Sequence, residues 1–118
     1  MYESLDFAEM KRILASNEFV VVDVREPKEI AAGAIPGTIN IPLSYVPKEF
    51  AAGEGVFRAK YGRPLSANGD NVVFTCRSGR RAVEARDAVL PLGYIRSRVY
   101  NGSYLDWVKN GGPVVIHE

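Results

Sequence analysis

This sequence has a single cysteine and a single histidine, and each scarcity excludes a kind of site. One cysteine cannot form an internal disulfide, so the chain does not require an oxidising compartment. One cysteine and one histidine cannot supply the ligand cluster of a zinc site. We therefore expect no bound metal, and nothing in the composition indicates a cofactor.

Long hydrophobic runs and an excess of charge of one sign are also missing. No apolar run approaches the ~18 residues that a membrane-spanning helix needs. The 15 basic and 14 acidic side chains leave a net charge of +1, which gives no overall basic field. We expect neither a nucleic-acid partner nor a membrane partner, and any positively charged site must be local.

The amino-terminal stretch MYESLDFAEMKR has three acidic residues and lacks the apolar segment of a secretory signal. It is equally unlike an arginine-rich transit peptide. We expect a cytoplasmic protein, or a mitochondrial one if a presequence has been removed. The length of 118 residues suits one domain with a single core, and we place that domain at residues 1–118.

Short β-type runs alternate with helical patterns along the chain. FVVVDV and NVVFTC are continuous apolar runs typical of strands buried on both faces, and SRVY is a third strand candidate. Helices are predicted in SLDFAEMKRILAS with Ser4 as its cap, in RRAVEARDAVL with Arg86 on its outer face, and in SYLDWVKNGG. This alternation predicts an α/β fold with a central, mainly parallel sheet flanked by helices.

The stretch VVFTCRSGRRA carries the sequence's strongest functional signal. It runs from a buried strand through Cys76 into the start of a helix, where open α/β sheets tend to bind ligands. Unpaired backbone N–H groups and the helix dipole at such a turn favour the thiolate, which is the nucleophilic form of a cysteine. The alternative is a free cysteine that only packs in the core, but that leaves the three neighbouring arginines unexplained.

Three segments in order resemble the single-domain rhodaneses, a family of sulfurtransferases. VVDVREPKEIAAGAIPGTINIPL is similar to the family's amino-terminal signature, VVFTCRSGRRA to its active-site loop, and LGYIRSRVYNGSYLDWVKNGGPV to its carboxyl-terminal signature. The resemblance covers most of residues 19–114. It implies a rhodanese-like three-layer sandwich and a thiosulfate sulfurtransferase whose catalytic residue is Cys76.

The resemblance also implies a two-step reaction. The Cys76 thiolate would attack the outer sulfur of a donor such as thiosulfate, release sulfite and become a persulfide, from which an acceptor takes the sulfur. Backbone N–H groups would surround the persulfide, and basic side chains would bind the dianionic donor. The expected substrate-binding residues are Arg77, Ser78, Gly79, Arg80 and Arg81.

The length of the loop separates two chemistries. From Cys76 through Arg81 it has six residues, the length that resembles rhodaneses. The related cell-cycle phosphatases and arsenate reductases use a loop one residue longer, with an arginine six positions after the cysteine. That position is Ala82 here, so phosphate or arsenate chemistry is the less favoured alternative.

Two further pairs of residues are singled out by the resemblance. KEFAAGEGVFRAKYGRPL is similar to an insertion in small rhodaneses that pass sulfur from thiosulfate to glutathione. Arg58 and Lys60 could meet such an anionic thiol, with Phe57 or Tyr61 as a pocket wall, unless this is only a surface loop packed by its own aromatics. Asp23 and Arg25 match family residues that support the site structurally.

The acceptor is left open by these residues. Glutathione or cyanide would make the chain a small-molecule enzyme, whereas a protein acceptor such as thioredoxin would make it a persulfide carrier with the same loop chemistry. A third hypothesis is a non-catalytic interaction module of rhodanese type. Such modules typically lose the nucleophile, and this chain keeps Cys76.

Overall fold

A computed structural model describes residues 3–116, so the two residues at each end of the predicted 1–118 domain lie outside the described part. Within this described part, the sheet has four strands in the order β2-β1-β3-β4, and all neighbours are parallel. In chain order the strands are β1 (Val20–Asp23), β2 (Ile39–Asn40), β3 (Val72–Thr75) and β4 (Arg98–Val99). Asp23 pairs with Asn40 on one side and with Thr75 on the other, so the carboxyl ends of three strands meet at one edge.

The two central strands explain why their sequences read as unbroken apolar runs. All four residues of β1 and all four of β3 are buried. Successive side chains of a strand point to opposite faces, and here Val22 and Phe74 join one hydrophobic cluster while Val21 and Val73 join another. Each face of the sheet therefore needs its own covering layer of helices.

Within residues 3–116, six α-helices provide those layers. They are α1 (Phe7–Ser16), α2 (Pro27–Ala31), α3 (Val46–Ala51), α4 (Glu54–Tyr61), α5 (Arg80–Val89) and α6 (Ser103–Lys109). Met10 of α1 and Trp107 of α6 pack on one face. Phe50 of α3, Phe57 of α4 and Ala85 of α5 pack on the other. The predicted α/β class and three-layer arrangement are confirmed.

Two local predictions are wrong. Asp6, not Ser4, caps α1: its side chain accepts the N–H of Glu9, and the Glu9 side chain accepts the N–H of Asp6 in return. Arg86 is buried rather than on the outer face of α5, because its guanidinium donates to the backbone carbonyls of Ile95 and Ser97. Helical spacing alone does not predict acceptors that lie in the segment after the helix.

Among residues 3–116, no helix combines the length and the apolar character that spanning a bilayer requires.

Candidate active site

Cys76 comes directly after β3, at the edge where the strands end. Its side chain is buried, with 1% of its surface exposed. The backbone N–H of Gly79 donates to its sulfur over 3.0 Å, which folds residues 76–79 into a tight loop. Such a donor stabilises negative charge on the sulfur, so the loop geometry suits a nucleophilic thiolate.

Gly79 is the residue at which the loop becomes α5. Its φ is +108°, and a Cβ added here would lie 2.5 Å from the carbonyl oxygen of Asn101. Both the backbone conformation and the close approach require glycine. Because Gly79 is also the helix N-cap and has no side chain, the first-turn N–H groups of α5 keep no intrahelical or capping partner. Such groups can bind an anion beside Cys76.

The first turn of α6 holds the other side of the loop. The N–H of Tyr104 donates to the Cys76 carbonyl over 2.9 Å, and the N–H of Leu105 donates to the Arg77 carbonyl over 3.1 Å. The Ser103 hydroxyl oxygen accepts the N–H of Cys76 over 3.1 Å. Both backbone groups of the cysteine are therefore bonded to α6.

The three arginines of the loop have different surroundings. Arg81 makes a bidentate ion pair with Glu29 of α2, with N···O distances of 2.6 and 3.0 Å. Arg80 is 3.5 Å from Glu84 one turn further along α5, and its side chain is 90% exposed. Arg77 is exposed and forms no salt bridge within residues 3–116. Of the three arginines, Arg77 can bind an anion without first giving up a carboxylate partner within residues 3–116.

The Arg81–Glu29 pair sets the electrostatics beside the cysteine. Hydrogen bonds from Arg81 are the largest cause that lowers the pKa of Glu29 from 4.5 to about 2. Glu29 is thus ionised at neutral pH and offsets the charge of Arg81. The predicted donor-binding role of Arg81 must therefore compete with an existing partner.

Asp23 and Arg25 form a buried pair at the end of β1. Nη2 of Arg25 is 3.0 Å from the Asp23 carboxylate and donates to the Gly33 carbonyl over 2.9 Å. The guanidinium also lies 4.3 Å from the ring centroid of Tyr104. The pair thus links β1, the segment after α2 and helix α6, which is the geometry expected of two structural residues.

Residues 6–110 match the rhodanese-like domain family. The chain belongs to the rhodanese family. It is similar to the thiosulfate:glutathione sulfurtransferase of Saccharomyces cerevisiae, with 38% identity over 93% of this chain and 81% of the relative. The Homo sapiens thiosulfate:glutathione sulfurtransferase is 33% identical over 90% of this chain and 93% of the relative. The solved human single-domain sulfurtransferase TSTD1 superposes with a TM-score of 0.78 at 33% identity, covering 90% of this chain and 95% of that one.

The loop from Cys76 to Arg81 brings together most of the site residues that the sequence predicts. Cys76 and Gly79 are buried at the loop's centre, whereas Arg77, Ser78 and Arg80 are exposed around it. Arg58 and Lys60 lie outside that group, on α4.

The two basic residues of α4 differ in their surroundings. Lys60 pairs with Glu49 at 2.6 Å and lines a cavity of about 230 Å³ next to the end of β2. Arg58 is 3.7 Å from Glu54, its side chain is 61% exposed, and it does not line that cavity. Phe57 is a core residue with 1% exposure, so it cannot form a pocket wall, whereas Tyr61 does line the cavity.

Sequence reasoning missed Glu29 and Ser103. Glu29 is 52 residues from its partner Arg81, and Ser103 is 27 residues from Cys76. A serine within the carboxyl-terminal signature, NGSYLDW, was a visible signal for the second. No pattern in the sequence indicated the first, because its partner is set by the docking of α2 against α5.

Proposed function

We propose that this rhodanese is a sulfurtransferase that moves sulfur from thiosulfate, through a persulfide on Cys76, to a small thiol such as glutathione. The observation that carries the proposal is the contact of the Gly79 N–H with the Cys76 sulfur at the start of α5. That geometry supplies a covalent nucleophile beside fixed hydrogen-bond donors. The names of the yeast and human relatives support both the donor and the acceptor.

The reaction proceeds in two balanced steps. The Cys76 thiolate attacks the outer sulfur of thiosulfate, the bond between the two sulfurs of the donor breaks, and its electron pair leaves with sulfite. The outer sulfur of the resulting persulfide carries the negative charge, and the uncapped N–H groups at the start of α5 stabilise it. A thiolate acceptor then attacks that outer sulfur and leaves as a persulfide, which regenerates the Cys76 thiolate.

Arg77 is the residue that we propose binds the dianionic donor. Its side chain is exposed beside the cysteine, and within residues 3–116 no carboxylate pairs with it. A guanidinium can donate two charge-assisted hydrogen bonds to a pair of oxygens of the tetrahedral thiosulfate dianion. Ser78 is exposed next to it and can add a hydroxyl donor.

The cavity beside Lys60 is the acceptor subsite that fits this reaction. It begins at Asn40 and Pro42, just past β2, and β2 lies two strands from β3 in the sheet. At about 4.8 Å between neighbouring strands, β2 lies about 10 Å from β3. Glutathione carries its thiol on the central residue, and its extended γ-glutamyl arm places a carboxylate on the order of 9 Å from that sulfur. With the sulfur at Cys76, this carboxylate can lie near Lys60, where it competes with Glu49 for the ammonium group.

The experiment that tests the function is the intact mass of the reduced protein after incubation with thiosulfate. A gain of one sulfur, about 32 Da, is expected on the wild type and not on Cys76→Ser, as covalent catalysis requires. A folded wild type without the adduct would rule out thiosulfate as donor and would favour the non-catalytic module. Glutathione, cyanide and thioredoxin are then added separately to the persulfide form, and the fastest release of sulfur identifies the acceptor.

The acceptor subsite is tested with two matched variants on α4. Lys60→Ala should raise the KM for glutathione about 3- to 10-fold and leave the rate of persulfide formation unchanged, since an exposed charge contributes modestly. Arg58→Ala, on the same helix but outside the cavity, should leave both unchanged. Equal effects of the two variants would contradict the subsite.

A protein acceptor is the second candidate, and it uses the same persulfide. Rapid release to thioredoxin with slow release to glutathione would favour it. We also propose one domain over residues 1–118 and a cytoplasmic location. A similar protein of Schizosaccharomyces pombe is named as mitochondrial, and imaging of the tagged chain would distinguish the two compartments.

A further inference from the structure

We propose that Ser103 is a positioning residue for Cys76, an inference that rests on the proposed sulfur transfer and adds a residue to its site. Ser103 is fully buried and opens helix α6. Its hydroxyl oxygen accepts the backbone N–H of Cys76 over 3.1 Å and lies 3.8 Å from the cysteine sulfur. The hydroxyl donates to the Tyr100 carbonyl over 2.8 Å.

These contacts make one hydroxyl the link between two strand ends. Tyr100 follows β4, and its own N–H donates to the carbonyl of Phe74 in β3. Through the Ser103 hydroxyl, the end of β4 is also joined to Cys76, the first residue after β3. The position of the cysteine backbone is thereby set by α6 and β4 as well as by its own loop.

The backbone conformation at Ser103 is one that favours glycine, yet the residue there carries a hydroxyl. Its φ is +56°, a conformation that glycine adopts without strain and that other residues adopt at a cost. Within residues 3–116, Asn17 is the other non-glycine residue with positive φ, and it is the C-cap of α1. Glycine would suit the backbone at position 103 better, but glycine has no side chain that can accept the Cys76 N–H.

The consequence for the reaction is control of where the sulfur sits. In-line attack on thiosulfate requires the sulfur to be placed within a fraction of an ångström. The Ser103 hydroxyl holds the Cys76 N–H, and the Tyr104 N–H holds the Cys76 carbonyl. These two hydrogen bonds fix the orientation of the cysteine backbone and therefore the direction in which its side chain leaves it. Donor binding is assigned to Arg77, so Ser103 acts on the chemical step and not on affinity.

The test compares Ser103→Ala, which removes the hydroxyl and keeps the strained φ, with Ser103→Gly, which removes both. Asn17→Gly is the matched control, because it relieves a positive φ far from the loop. We expect both Ser103 variants to form the persulfide about 10-fold more slowly at saturating thiosulfate, while the half-saturating concentration changes less than about 2-fold. Asn17→Gly should retain the wild-type rate.

A second measurement does not depend on activity. Exchange of the Cys76 amide hydrogen, followed by NMR, should be at least about 10-fold faster in both Ser103 variants, because the amide loses its acceptor. A wild-type rate in Ser103→Gly, a loss confined to the half-saturating concentration, or unchanged amide exchange would each overturn the proposal. A wild type that forms no persulfide would instead defeat the proposed function, and the amide exchange would still decide whether Ser103 holds Cys76.

Discussion

At the scale of single residues, three arginines that look equivalent in CRSGRR do three different things. Arg81 is paired with Glu29, Arg80 is close to Glu84 and almost fully exposed, and Arg77 forms no salt bridge within residues 3–116. Charge near a nucleophile is therefore a poor guide to which side chain binds the substrate. The available partners decide it.

This difference predicts unequal effects of removing each charge. Arg77→Ala should raise the KM for thiosulfate about 10-fold, because the variant loses charge-assisted hydrogen bonds made directly to the donor. Arg80→Ala should change it less than about 2-fold, because an exposed charge is screened by solvent. Steady-state kinetics at constant ionic strength measures both. Equal losses for the two variants would contradict the assignment of donor binding to Arg77.

At this scale the sequence predicted the local structure around Cys76 but not the contacts that this residue makes with distant segments. Cys76 and its loop were predicted correctly as the end of a buried strand and the start of a helix, because both depend on residues adjacent in the chain. The partners Glu29 and Ser103 depend on how distant segments pack, which hydrophobic patterns do not encode.

At the scale of elements, the junction of the loop with α5 depends on one glycine. Gly79 and Gly93 have nearly the same φ, +108° and +105°. A Cβ at position 79 would collide with the Asn101 carbonyl, whereas a Cβ at position 93 would have nothing within 4 Å. A substitution at position 93 therefore tests backbone strain alone, whereas one at position 79 tests backbone strain together with displacement of the loop.

Replacing each glycine by alanine gives a matched pair. Both variants should lose about 1 kcal/mol of stability from the positive φ. Only Gly79→Ala must also shift the loop, and its rate of persulfide formation should fall at least about 100-fold. Denaturant unfolding measures the loss of stability. The rate at which the protein gains one sulfur, about 32 Da, measures the effect on persulfide formation. A fully active Gly79→Ala would show that the loop can accommodate a Cβ against the Asn101 carbonyl without losing its catalytic geometry.

Helices were predicted unevenly from sequence. The pattern around RRAVEARDAVL indicated α5, but residues 43–70 looked broken by glycine and proline, although they form α3 and α4. Two short helices show little periodicity, and their stability comes from burying Phe50 and Phe57 against the sheet. Tertiary packing of this kind cannot be read from local propensity.

At the scale of the whole molecule, the Arg81–Glu29 pair joins helices α2 and α5 and makes the free energy of unfolding depend on pH. The pKa of Glu29 falls from 4.5 to about 2 in the folded chain. A lowered pKa contributes stability that is fully present above the unfolded value, and it is lost as the pH falls towards the folded value. The side chains are 31% and 29% exposed, so solvent screening reduces the contribution to on the order of 1 kcal/mol.

Glu29→Gln tests this dependence, because glutamine keeps an acceptor for the N–H of Glu26 and loses the charge. At pH 7 the variant should be about 1 kcal/mol less stable than the wild type, and the difference should shrink between about pH 4.5 and pH 2. Glu84→Gln, which removes an exposed partner, is the control. Urea unfolding at several pH values measures all three proteins. A difference that stays constant with pH would show that the ion pair does not titrate as described.

The bonds between α6 and the cysteine loop also have a consequence for biosynthesis. Ser103 and Tyr104 lie 27 and 28 residues after the cysteine whose backbone they hold. Cys76 is added to the growing chain before either residue, and it leaves the ribosome while both are still inside the exit tunnel. At about 5–20 residues per second, synthesis separates the cysteine from these residues by a few seconds. The cysteine loop therefore gains its support from α6 only after synthesis has passed that helix and the helix has docked.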